Sequence, residues 1–281
     1  LAEMGLLPVF LPEMAALAGL AQSPPHHEAV LAHTVSVLRR LAAVETAVVQ
    51  QQPAPDPALA LARESLAPYA PALADHLARQ VDGQLDGRTL FYLGALFHDV
   101  GKAETQTVED GRIRFLGHAR AGAELVETRL TALCLSKKAI HHVSDIVAGH
   151  MRPLLLLNSR QSVSRRAVYR FFRDTGTAGL DIGLLALADH LATYDGPGEG
   201  DDWARLVTLV ADLYSHYFER QSETVSPPPL LDGRAVMDAL NLQPGPEVGR
   251  LLRLLEEAQA SGEVGTEAEA LAFIRQKTST H

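Results

Sequence analysis

Cysteine is nearly absent from this 281-residue sequence. Cys134 stands alone, without a partner for an intramolecular disulfide or the thiolate set of a Cys-type zinc module. A reducing cytoplasm is the expected compartment. Long hydrophobic runs are also missing: the longest aliphatic stretch is Leu154 to Leu157, against the ~20 residues a bilayer requires. No membrane partner is expected. The opening at Leu1 lacks the charged start, apolar middle and small-residue cleavage site of a signal peptide. It reads as the interior of a longer polypeptide, with residues 1–25 a helical or linker remnant. Positive charge is scarce, 25 Lys+Arg against 34 Asp+Glu for a net −9. A protein that coats nucleic acid with its whole surface is excluded, and any RNA contact has to be local. Two things are plentiful: hydrophobic residues, 47% of the chain and enough for a sizeable core, and histidines, of which there are 12.

Apolar residues recur at helical spacing, with Ala and Leu dominant, which predicts an all-α fold. Helices are expected over 28–49, 58–80, 88–100, 118–134, 136–150, 162–174, 178–194, 201–221 and 246–260, and Thr266-x-x-Glu269 is a capping box opening a last one. Gly101 is expected to stop the 88–100 helix as a C-terminal glycine. One short β-hairpin is predicted, Thr105–Val108 against Arg112–Phe115 around Asp110-Gly111. Residues 222–229, ending in three prolines, read as a linker between a main domain over 26–221 and a small helical tail over 230–281.

Polar residues break the inward stripes at three places. His33 falls between Val30 and Val37, His98-Asp99 closes the apolar run Leu90 to Phe97, and Asp189 follows Ile182 and Leu185. An unpaired carboxylate in a core costs several kcal/mol unless a cation or donors neutralise it. Each residue taken singly reads as an ordinary satisfied polar group. Together, imidazoles and carboxylates without thiolate suit a divalent metal such as Mn, Fe, Co, Ni or Zn, with Mg less well matched.

This order, His33, then His98-Asp99 with Gly101-Lys102, then Asp189 after Leu187-Ala188, resembles the HD superfamily of metal-dependent phosphohydrolases. The resemblance implies an HD-type helical bundle in which His33, His98, Asp99 and Asp189 hold a divalent metal. Two-metal members add histidines in the interval before the last Asp, for which His118 and His150 are the candidates, Asp99 then bridging one ion to the other. His141 and His142 are weaker candidates, because consecutive helical residues point about 100° apart. Further stretches, Leu6 to Met14, Phe115 to Gly122, Leu135 to Lys138, His150 to Pro153, Pro227 to Arg234 and Gly245 to Arg250, are similar to the C-terminal part of bacterial tRNA nucleotidyltransferases, the CCA-adding and poly(A) polymerase family. The head domain of that family carries a Gly-Ser and an Asp-x-Asp, and neither occurs here. These residues therefore cannot add nucleotides.

The expected chemistry is phosphoester hydrolysis by a metal-activated water, on a small nucleotide or other phosphoester, with Asp99 and Lys102 in catalytic roles. Lys102 could hold a phosphate oxygen, or simply meet the negative end of a helix dipole. The competing class is RNA binding. Arg152, Arg160, Arg165, Arg166, Arg170 and Arg173 form a basic island without an acid before Asp174, suited to backbone phosphates, although a solvated basic face is the plainer reading. By analogy with the resembled family, the partner would be tRNA, held at Arg152, Arg165, Arg166 and Arg170. His26, His27, His76, His190, His216 and His281 receive no role.

Overall fold

The computed structural model describes residues 5–158 and 163–278, so Arg160 and His281 lie outside the described residues. They group into two units, one of the described residues within 1–160 and 175–211, the other of those within 161–174 and 212–281. Both are helical.

In the first unit, α1 (Leu7–Phe10) and α2 (Pro12–Ala15) are single turns. The next, α3 (Val30–Val44), buries the predicted stripe of Val30, His33, Val37, Leu41 and Val44. It passes into a π-helical turn, Glu45–Val49. There the buried Glu45 carboxylate accepts from Arg88 Nε and from the Tyr92 hydroxyl, each at 2.7 Å. The single helix expected over 58–80 is divided into α4 (Pro57–Leu66) and α5 (Ala70–Ala78) by the 3-10 turn Ala67–Tyr69, since Pro68 and Pro71 withhold backbone donors.

A small ribbon, β1 (Gln80–Asp82) with β2 (Leu85–Asp86), was not expected. Strands this short carry no readable alternation. Asp86 then caps α6 (Gly87–Phe97), its carboxylate accepting from the Thr89 N–H at 2.8 Å. After the single turn α7 (Lys102–Thr105), β3 (Thr107–Glu109) pairs with β4 (Arg112–Arg114). Asp110 and Gly111 both have left-handed φ, 50° and 73°, the type I′ turn that the Asp-Gly pair predicts.

Gly101 departs from expectation. Its φ is −71°, so it is no left-handed helix stop. A Cβ there would come within 2.2 Å of the His118 carbonyl oxygen and 2.5 Å of the Gly122 nitrogen. The glycine lets two backbones meet, and so fixes the start of α8 (His118–Ala132) against the turn carrying His98 and Asp99. Beyond it lie α9 (Lys137–Gly149), capped by Ser136, and α10 (Arg152–Leu157), a short helix absent from the sequence reading. α11 (Arg165–Thr175) belongs mainly to the second unit, and α12 (Ala178–Thr193) to the first. α12 is buried on nearly every side. α13 (Asp202–Glu219) has its residues 202–211 in the first unit and the remainder in the second.

The second unit adds a π-helical turn, Gln221–Val225, then α14 (Gly233–Leu240), α15 (Pro246–Ser261) and α16 (Glu267–Thr278). Pro246 opens α15, and the Thr266–Glu269 capping box is formed in both directions. Leu231, Val236, Leu251, Leu255, Val264 and Ile274 make a small core of its own.

Candidate metal centre

α6 ends at Phe97, and the turn beyond it leaves His98 and Asp99 at the inner end of an apolar helix, 1% and 3% exposed. Asp99 is the hub. Its Oδ2 lies 3.2 Å from His98 Nε2 and 2.7 Å from Lys102 Nζ, and its Oδ1 lies 3.5 Å from His118 Nε2 and 3.8 Å from His150 Nε2. From α3, His33 Nε2 reaches to 2.9 Å from Asp189 Oδ1 on α12. His118, on the first turn of α8, and His150, just past α9, bring their Nε2 atoms to 3.1 Å. Donor atoms of His33, His98 and Asp99 all lie within 4.8 Å of one another, as do those of Asp99, His118 and His150. Five of the six residues expected to hold metal thus fall into two sets that share Asp99, and the sixth, Asp189, adjoins them through His33.

Residues 69–193 match the family model described as HD domain. The chain contains an HD domain. The match contains His98, Asp99, His118, His150 and Asp189, while His33 stands upstream of it. Over 276 residues the chain is 36% identical to the CC-adding tRNA nucleotidyltransferase of Thermus thermophilus, covering 98% of this chain and 51% of that protein. The A-adding tRNA nucleotidyltransferase of Deinococcus radiodurans is 33% identical over 277 residues, 98% of this chain and 52% of that one. The chain spans about half the length of these two relatives. A bifunctional uridylyltransferase/uridylyl-removing enzyme of Haemophilus influenzae is 27% identical over 215 residues, 75% of this chain and 21% of its own length.

The donor chemistry of the HD domain fits a divalent ion. His98, His118 and His150 each direct Nδ1 at the carbonyl three residues earlier, at 2.8, 2.8 and 2.7 Å. In a neutral ring, an Nδ1–H donated there leaves Nε2 as a bare lone pair, the tautomer a metal requires. Burial alone would lower the metal-free His98, but the charge of Asp99 beside it pushes it up instead, toward its charged form. His98 Nε2 is buried without a hydrogen bond, 3.2 Å from Asp99 Oδ2. Burial pushes His118 down, and burial with the His98 charge pushes His150 down to about 3. Both rings are therefore neutral near pH 7, and their opposed Nε2 lone pairs lack a proton to share. Burial alone would raise Asp99, but His98 and Lys102 outweigh it and hold the carboxyl well below the usual range. Asp189 is likewise held low, against burial, by its hydrogen bond to His33 and the charge of His98. The cluster could hold a divalent metal, with Asp99 placed to serve both sets of imidazoles.

Lys102 is not free to reach outward. Its Nζ is buried between Asp99 Oδ2 and Gln22 Oε1, 2.7 and 2.6 Å away. His142, a weaker candidate for this site, is elsewhere: with His76 and Asp181 it makes a separate buried cluster. His76 Nε2 lies 3.0 Å from each Asp181 oxygen, His142 Nε2 lies 2.9 Å from Oδ2, and Arg79 Nη2 approaches His142 Nδ1 at 3.5 Å. Burial alone would raise Asp181, but hydrogen bonds from His142 and His76 hold its carboxyl below the usual range, and the group reads as a hydrogen-bonded brace joining α5, α9 and α12. Sequence could not find it, because Asp181 and His76 are 105 residues apart.

The arginine island is paired within the second unit. Arg166 and Arg170 lie 3.4 and 2.6 Å from the carboxylate of Glu257, and Arg166 also meets Glu263 at 2.7 Å. Arg165 donates to the carbonyls of Ala260 and Glu223 at 3.2 and 3.1 Å. The acids missing from the local sequence come from α15 and the turn after it. Arg152 opens α10, which belongs to the first unit.

Proposed function

We propose that the chain is a metal-dependent phosphohydrolase acting on nucleotide phosphoesters in the cytoplasm. The observation that carries this reading is the convergence of four imidazoles, those of His33, His98, His118 and His150, with the two carboxylates of Asp99 and Asp189. A divalent ion bound there supplies a water activated near neutral pH and a Lewis acid for the phosphoryl oxygen. Mn, Fe, Co, Ni and Zn suit the donors best, Mg less well, and two ligand sets accommodate one ion or two. The chain's own groups have distinct tasks. Asp99 would be a ligand common to both sets; His33 and Asp189 orient one another; the backbone carbonyls accept from Nδ1 of His98, His118 and His150. Lys102 is a positioning residue that keeps Asp99 ionised. The name of the uridylyl-removing relative supports removal chemistry on a nucleotidyl group for this kind of chain.

The test is turnover of bis(p-nitrophenyl) phosphate and of a nucleotide phosphodiester by protein reconstituted with each metal. Hydrolysis that disappears in Asp99→Ala is expected; a metal-loaded chain that hydrolyses neither substrate overturns the reading.

A second reading is favoured by the two nucleotidyltransferase relatives, named for tRNA. In it the chain holds tRNA through Arg152, Arg165, Arg166 and Arg170 as part of a nucleotidyltransferase. Exposed ion pairs such as Arg170–Glu257 are worth only about 0–1 kcal/mol, so phosphates can displace the carboxylate. Salt-sensitive tRNA binding that weakens in an Arg165/Arg166/Arg170 triple alanine variant is expected, and unchanged affinity disposes of it.

A further inference from the structure

A cavity of ≈ 570 Å³ opens in front of the metal centre, and its lining joins Asp99, Lys102, His118, His150 and Asp189 to the segment 22–26 and the β3–β4 ribbon. That segment is tied down twice. The Ile113 N–H donates to Ser23 Oγ at 2.8 Å, and Lys102 Nζ donates to Gln22 Oε1 at 2.6 Å. The ties carry His26 to the edge of His33, with ring centroids 4.8 Å apart and planes at 77°. His26 Nδ1 is buried and hydrogen-bonds no protein atom. A buried polar atom left without a partner costs about 1–3 kcal/mol, and a ring that lines a cavity is one whose nitrogen a ligand can satisfy.

We propose that His26 is a substrate-binding residue, hydrogen-bonding through Nδ1 an oxygen of the phosphoester held at the metal centre. The identity of the ester rests on the phosphohydrolase reading; the place of His26 rests on geometry. His26 stands outside both ligand sets around Asp99 and meets His33 edge to face. The acids lining the cavity, Asp99 and Asp189, face His98, Lys102 and His33, whereas Arg112 adds positive charge from the ribbon, where Arg114 is paired with Glu109 at 3.3 Å. The cavity therefore suits an anion. Lys102 is engaged by Asp99 and Gln22, so His26 supplies a hydrogen-bonding nitrogen that the protein itself does not use.

The experiment uses the full chain loaded with Mn²⁺ as wild type, His26→Ala and His26→Asn. It measures bound metal, calorimetric affinity for inorganic phosphate, and kcat and KM on bis(p-nitrophenyl) phosphate. His26→Ala should keep its metal, bind phosphate about tenfold more weakly (~1.4 kcal/mol) and raise KM by a similar factor with kcat changed less. His26→Asn, whose amide falls near the place of Nδ1, should recover most of the loss. Loss of metal from both variants, wild-type phosphate affinity in His26→Ala, or a wild type that binds no phosphate overturns the assignment. A wild type that binds phosphate through His26 but turns over no ester refutes the phosphohydrolase reading and leaves the His26 assignment standing.

Discussion

His118 and His150 point their Nε2 atoms at one another across 3.1 Å while each Nδ1 lies against a backbone carbonyl. Two neutral imidazoles so anchored cannot hydrogen-bond to each other, and a shared cation resolves the conflict. His118→Ala or His150→Ala should therefore remove metal from one of the two ligand sets and leave His33, His98, Asp99 and Asp189 able to hold the other. Metal titration of each variant checks this, with a drop in stoichiometry rather than complete loss as the expected outcome.

Lys102 neutralises a carboxylate that is only 3% exposed. Removing one member of a buried pair costs about 3–5 kcal/mol, chiefly through the charge left behind. Lys102→Met should destabilise the metal-free chain by about that amount, and a divalent ion, replacing the missing charge, should restore most of it. Thermal unfolding with and without Mn²⁺ reads both effects.

The brace of His76, His142 and Asp181 contrasts with the histidines proposed to hold metal. Asp181→Asn should lower stability by about 3 kcal/mol, as expected when a buried charged network loses its anion, without changing bound metal. Elemental analysis beside denaturant unfolding makes the check; metal lost in proportion would show that this cluster is itself a site.

His150 supplies a pH signature in the metal-free chain. Its native pKa is pushed down to about 3 by burial and the charge of His98, from 6.5. Between those values the unfolded chain binds a proton that the native chain refuses, so this contribution to stability is complete above pH 6.5 and is lost as pH falls toward 3. The slope is at most about 1.4 kcal/mol per pH unit. Urea unfolding in the presence of a chelator should show that slope, and His150→Gln should flatten it.

Much of this was legible because local pattern carried it. The α3 stripe, the Asp110-Gly111 turn and the Thr266–Glu269 capping box each depend on residues a few positions apart. The cluster was reachable because His33, His98-Asp99 and Asp189 interrupt apolar stripes, and an interruption survives translation into three dimensions as a polar group in a core. Long-range pairing was not legible. Nothing near Arg166 or Arg170 announces Glu257, and nothing near His76 announces Asp181. Gly101 was misassigned because a glycine at a helix end is ordinarily a left-handed stop, whereas here the constraint comes from the approach of the His118 and Gly122 backbones. Lys102 reads from sequence as a phosphate contact or a helix-dipole partner, and its neighbour Gln22, 80 residues away in sequence, could not be foreseen.

The central claim is that Asp99 and its imidazoles hold a divalent metal, and elemental analysis of purified wild type, His98→Ala and Asp99→Ala tests it most directly. The account predicts one to two equivalents of a divalent transition metal in the wild type and near-complete loss in Asp99→Ala, with a large loss in His98→Ala. Variants that keep the full wild-type metal content, or a wild type that binds none from a metal-supplemented buffer, would contradict it.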